Sequence, residues 1–154
     1  MWIFATKQGT KQMKHTQIFL ASSIVEFEDE REAIGACLYK SLPGVRIVDC
    51  TYTDSSISTE GSQSVLNKML QQSDCAVFLF GKKLGYYTQM EFEIAQKQFA
   101  ETGKPKIFVF CQHYDGEISP HVLQLLALHK QPHFAFGNFD EVLAYIKTNT
   151  ALFC

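Results

Sequence analysis

Residues 73–81 read Ser-Asp-Cys-Ala-Val-Phe-Leu-Phe-Gly, and the six consecutive apolar residues from Cys75 to Phe80 decide the fold. A strand with one face in water alternates apolar with polar residues. This run does not alternate, so both of its faces need cover, which is the condition of a strand inside a parallel sheet. Working outward, four further short apolar runs occur at residues 18–21, 45–50, 107–111 and 133–136. Each is rich in Ile, Val or Phe, and each predicts a strand.

Between the runs lie segments with helical periodicity. The first covers residues 26–42, with Ile34, Cys37, Leu38 and Leu42 on one stripe and an acidic outer face. The second covers 62–72, with Val65, Met69 and Leu70; the third covers 89–101, with Phe92, Ala95 and Phe99. Gly103 is suited to cap the third helix, and Pro105 stops it and opens the next strand. Helices near 120–129 and 139–148 complete the alternation. Strand–helix alternation of this kind predicts an α/β, flavodoxin-like, doubly wound five-stranded parallel sheet of order 2-1-3-4-5 with helices on both faces. One such domain is expected over residues 17–150, behind a flexible leader at 1–16, and it fits the N-terminal domain of a longer protein equally well.

At 154 residues, 46% hydrophobic and 19% charged, the chain has the composition of one folded domain, not of a disordered segment. A formal net charge of -2 gives no general attraction for nucleic acid or an anionic membrane. The longest apolar runs are about six residues against the ~20 that a membrane-spanning helix needs, so no membrane anchor is expected. Five cysteines at 37, 50, 75, 111 and 154 form no CxxC pair and fit reduced, mostly buried thiols in a cytoplasmic protein.

In an open parallel sheet, ligands bind beyond the carboxyl ends of the strands, where strand order reverses. The loops to inspect follow from that rule. Ser22 and Ser23 follow the first run; they either approach a phosphate or ribose or simply start the turn into the first helix. Residues 51–61, polar and long for such a connection, suit a lid or an assembly loop, or plain surface. After the third run comes 81–88, Gly-Lys-Lys-Leu-Gly-Tyr-Tyr-Thr, in which Gly81, Tyr86 and Tyr87 could cradle a phosphate and stack on a ring. It is no Walker A loop, and no GxGxxG occurs. Glu91 is the candidate catalytic carboxylate, although Thr88-Gln-Met-Glu91 also fits a capping box that would employ it in the helix start. Glu93, about 200° further round the helix, points elsewhere. Arg31 either pairs with the acids around it or turns toward the cleft. The histidines have no HExxH or HxH spacing, so no metal site is expected, and no cofactor.

The segments 18–23, Ile-Phe-Leu-Ala-Ser-Ser, and 30–34, Glu-Arg-Glu-Ala-Ile, resemble the opening of bacterial TIR (Toll/interleukin-1 receptor)-like domains and of a related uncharacterised FxSST…ERxA…YTxxE family. Residues 73–81, then 87–95, then Gly103-Lys104-Pro105 are similar to the same group's later pattern. The resemblance implies an NAD+ glycohydrolase that cleaves the nicotinamide–ribose bond, with Glu91 as the essential glutamate and Ser22, Ser23 and Gly81 in the pocket. Tyr86 and Tyr87 stand where many active members carry Trp or Cys. It also implies activation by homo-oligomeric assembly through the 51–61 loop, in antiphage defence, with NAD+ as substrate. One ionised carboxylate suffices for that chemistry, because nicotinamide in NAD+ is cationic and leaves without protonation. Two alternatives stay open: another N-glycosidic enzyme, of the nucleoside deoxyribosyltransferase or nucleotide hydrolase kind, which sets a glutamate on a comparable helix, or a non-catalytic interaction or nucleotide-sensing module.

Overall fold

The computed structural model describes residues 15–23, 26–49 and 59–153. Residues 1–14 of the expected leader at 1–16, residues 51–58 of the expected loop at 51–61, Cys50 and Cys154 lie outside the described residues. The elements alternate as β1 (Gln17–Ser22), α1 (Glu28–Ser41), β2 (Arg46–Val48), α2 (Thr59–Gln71), β3 (Cys75–Phe80), α3 (Tyr86–Thr102), β4 (Lys106–Gln112), α4 (Pro120–Leu128), β5 (Phe134–Phe136) and α5 (Asp140–Thr148), with a 3-10 turn at Thr150–Phe153. All four strand pairings are parallel, and the order is β2-β1-β3-β4-β5. The expected doubly wound sheet is therefore the observed one. No helix among the described residues is long and apolar enough to cross a membrane.

The uninterrupted apolar run of β3 serves both faces. Cys75, Val77 and Leu79 join Ile18 and Leu20 of β1, Ile34 and Leu38 of α1, and Val142 and Ile146 of α5 in one core. Ala76, Phe78 and Phe80 join Phe19 and Ala21 of β1, Leu66 and Leu70 of α2, Phe92 and Ala95 of α3, and Val122 and Leu126 of α4 in the other. So α1 and α5 cover one face, and α2, α3 and α4 the other. Phe92 anchors the second core, edge-on to Phe78 at 5.2 Å and to Phe80 at 5.8 Å between ring centres. Burying one such side chain contributes about 1.5–3 kcal/mol, and edge-to-face contacts add to it.

The helix ends follow local chemistry. α1 opens on Glu28, Asp29 and Glu30 and carries Lys40 in its last turn, each sign opposing the helix dipole. Gly103 ends α3 at φ 82, the left-handed conformation that glycine adopts without a Cβ penalty, and its N–H returns to the Phe99 carbonyl. β2 is shorter than the expected 45–50, pairing with β1 only over Arg46–Val48. The last three residues of the expected 51–61 loop already belong to α2. α3 begins at Tyr86, three residues earlier than its periodicity predicts, because Gly85 takes an extended N-cap conformation and lets both tyrosines enter the helix.

Candidate active site

β1 lies between β2 and β3, so the chain leaves β1 toward one sheet face, for α1, and leaves β3 toward the other, for α3. The two exits diverge at the carboxyl edge, at the point where strand order reverses and where sheets of this kind ordinarily receive ligands. Each flanking helix presents a buried stripe whose first member is polar. On α1 the buried residues are Arg31, Ile34, Cys37 and Leu38; on α3 they are Thr88, Glu91, Phe92 and Ala95. Because helix side chains lean toward the N-terminus, these polar heads lean toward the carboxyl edge of the sheet.

On the α1 side, Arg31 is 2% exposed. Its Nη1 donates to the Ser22 hydroxyl at 3.3 Å, and Ser22 in turn donates to the Ser23 carbonyl at 3.4 Å. Arg31 Nε lies 3.5 Å from the Asp49 carboxylate, close enough for an ion pair although the angle gives no hydrogen bond. Arg31 therefore pairs across the fold, from α1 to the end of β2, and not with the acids of its own helix. Ser23 starts the turn into α1: its hydroxyl accepts the Glu26 N–H at 3.3 Å and its carbonyl the Phe27 N–H at 3.1 Å.

Beside this group, Glu26 seats its carboxylate against the end of β3. Its Oε2 accepts the Lys82 N–H at 2.8 Å and faces the Tyr114 hydroxyl at 3.0 Å; that hydroxyl also lies 2.9 Å from Gln112 Oε1. Gly81 makes the approach possible, because a Cβ there would meet Glu26 Cδ at 2.5 Å and Oε1 at 2.6 Å. Tyr114 is fixed by a tight turn in which Asp115 (φ 53) and Gly116 (φ 80) are both left-handed, with Tyr114 and Glu117 exchanging backbone hydrogen bonds. Burial, the hydrogen bond to Glu26, and the charges of Glu26 and Glu30 push the Tyr114 phenol up to about 12. Lys82 Nζ stands 5.0 Å from the Tyr114 ring centre.

On the α3 side, Glu91 is 7% exposed and Thr88 is 6% exposed. With Gly85 as N-cap and no side-chain cap bond, Thr88 is the third residue of the helix and Glu91 the sixth. The capping box read from Thr88 to Glu91 is not formed. Glu91 also lies beyond the first turn of α3. Glu93 is exposed, as its helical angle requires. Tyr86 and Tyr87 are 74% and 45% exposed, their rings edge-on to each other at 5.1 Å. They stand at the surface of the first turn.

The structure thus brings Ser22, Arg31 and Gly81 together on one side of the carboxyl edge and sets Glu91 at the head of the buried stripe on the other. Sequence reasoning missed Asp49, Glu26 and Tyr114. Asp49 carried a signal, an acid at the end of an apolar run, whereas Glu26 was assigned to a solvated acidic face. Among the described residues no three His, Cys, Asp or Glu side chains converge as metal ligands would. Burial raises the Cys111 thiol to about 12, which makes it a packing residue and not a nucleophile.

No protein-family model and no curated protein matches the chain. Solved structures do. A CMP N-glycosidase of Clostridium botulinum superposes with a TM-score of 0.64 at 14% identity, covering 86% of this chain and 99% of its own. A 2-deoxyribosyltransferase of Bacillus psychrosaccharolyticus gives 0.56 at 17% identity, covering 90% and 96%. One from Leishmania mexicana gives 0.54 at 19%, covering 87% and 98%. At these identities the likeness establishes a shared fold. It also corrects the TIR resemblance, since the matching structures belong to proteins named for N-glycosidic chemistry. Part of what carried that resemblance belongs to the architecture: an apolar β3 that serves both cores and a left-handed glycine after α3. Any doubly wound sheet of this order can carry them. The NAD+ glycohydrolase reading and the antiphage role rested on the resemblance and fall with it.

Proposed function

We propose that this protein acts on the N-glycosidic bond of a nucleoside-type substrate, as a hydrolase or a glycosyl transferase, with Glu91 as the catalytic carboxylate. The observation that carries the reading is a nearly buried carboxylate on the buried stripe near the start of α3, the helix that leaves the carboxyl edge of the sheet beside the point where strand order reverses. The fold likeness to a CMP N-glycosidase and to two 2-deoxyribosyltransferases supports it.

Breaking the bond between sugar C1′ and a base nitrogen leaves positive charge on the sugar ring, and the bonding electrons depart with the base. An ionised Glu91 stabilises that charge, or bonds to C1′ until water or a second base takes the sugar. A neutral base, unlike nicotinamide, leaves as an anion unless it gains a proton, so the departing base must be protonated by a nearby donor or by water. Ser22, Ser23, Tyr86 and Tyr87 are the proposed substrate contacts; Arg31 holds Ser22 in place, and Gly81 makes room for Glu26.

The test is release of free base from a panel of nucleosides and nucleoside monophosphates, with and without a second free base as acceptor. Release that depends on Glu91 supports the reading. Absence of release across the panel, or equal release by Glu91→Gln, removes it.

A further inference from the structure

We infer that Glu26 determines specificity, selecting an uncharged nucleoside over its 5′-monophosphate; the inference rests on the N-glycosidic reading above. A glycine turn at the carboxyl end of a parallel strand, with a backbone N–H pointing out of it, is where this architecture ordinarily receives a phosphate oxygen. Here that donor is taken. The Lys82 N–H is held by Glu26 Oε2 at 2.8 Å, and the Tyr114 hydroxyl faces the same oxygen at 3.0 Å.

The space is taken as well. The Glu26 carboxylate lies so close to Gly81 that even a Cβ there would meet its Cδ at 2.5 Å. A phosphate group is far larger than a methyl. It would have to expel Glu26 or sit against its negative charge, with Glu30 close enough to add to the field at Tyr114.

The neighbouring cations do not reverse this balance. Arg31 is buried and already directed at Asp49 and Ser22. Lys82 Nζ rests over the Tyr114 ring, and Lys83 is exposed. A carboxylate accepts about four hydrogen bonds, and Glu26 has two of these partners, so it can still receive a sugar hydroxyl. The ligand chemistry that matches is a neutral hydroxyl donor.

The experiment measures equilibrium binding of cytidine, thymidine and adenosine, and of their 5′-monophosphates, to the full chain carrying Glu91→Gln so that ligand persists. With Glu26 present, each nucleoside should bind at least about tenfold tighter than its monophosphate, and adding Glu26→Gln should narrow that ratio by about tenfold. A purely structural Glu26 would weaken both ligands alike. Inorganic phosphate, tested on the chain with Glu26 intact, should not compete with nucleoside, a measurement independent of whether Glu26→Gln folds. Monophosphates binding as tightly as nucleosides, phosphate competing at low millimolar concentration, an unchanged ratio in Glu26→Gln, or no binding of either class overturns the inference. Base release from monophosphates by the chain with Glu91 and Glu26 intact would sink the specificity claim and leave the N-glycosidic reading standing. A clear nucleoside preference with no base release would do the reverse.

Discussion

Substituting Gly81 by alanine tests how the carboxyl edge is assembled. Gly81 is not in the left-handed region, so alanine suits the backbone, and losing a glycine from the unfolded chain would by itself stabilise by about 0.4–1 kcal/mol. The new Cβ, however, falls within 2.6 Å of Glu26 Oε1 and must displace the carboxylate. That breaks the bond from the Lys82 N–H and the bond from the Tyr114 hydroxyl. Hydrogen bonds to a charged acceptor are worth about 1.5–3 kcal/mol each when buried, and these sit where water can replace part of them. The net cost should be about 1–3 kcal/mol, or a fall in Tm of roughly 2–12 °C for a chain of this size. Urea unfolding of Gly81→Ala, Glu26→Ala and the double variant closes a thermodynamic cycle. In the Glu26→Ala background the alanine meets no carboxylate, so Gly81→Ala should be neutral or slightly stabilising. An undiminished cost there would refute the packing of Glu26 against the end of β3.

Other consequences follow from the same geometry. Arg31→Met should destabilise by about 3–5 kcal/mol, because it leaves Asp49 buried without its cation, and Asp49→Asn added to it should recover part of the loss; denaturant midpoints of the three variants check this. Phe92→Ala should cost about 3–5 kcal/mol by opening the core between Phe78, Phe80 and His129, with calorimetry as the measurement. Tyr114 keeps its proton up to about pH 12, whereas an unfolded tyrosine gives it up near 10. Its contribution to stability is therefore complete below pH 10 and disappears as pH rises toward 12, so between those values Tyr114→Phe should lose less stability than the unsubstituted chain. Equal losses would count against the Glu26–Tyr114 contact.

Much of the architecture was legible because the β3 run has no polar residue to offer to water and must be covered twice. Gly103 and Pro105 marked the end of α3 through backbone constraints that hold in any context. The start of α3 was misread because Thr88 and Glu91 have capping-box spacing, while the actual cap, Gly85, carries no side chain to advertise itself. Within the site, Ser22 could be picked out as a polar residue closing an apolar run at the carboxyl edge, and Arg31 as the lone cation among the acids that open α1. The pairing of Glu26 with Tyr114 could not, since the two lie 88 positions apart and meet only through the sheet order. The family was misjudged for a related reason: short segments, among them an apolar β3 and a helix-ending glycine that the fold itself favours, were taken for marks of common activity.

The most direct measurement is the second-order rate constant for base release by the unsubstituted chain and by Glu91→Gln, both shown folded by circular dichroism, on whichever nucleoside is cleaved fastest. Replacing a carboxylate that stabilises a developing sugar cation with a neutral amide should reduce kcat/KM by about a thousandfold or more. A folded Glu91→Gln retaining more than about a tenth of the original value would contradict the account, because the buried acid of α3 would then be a structural group only.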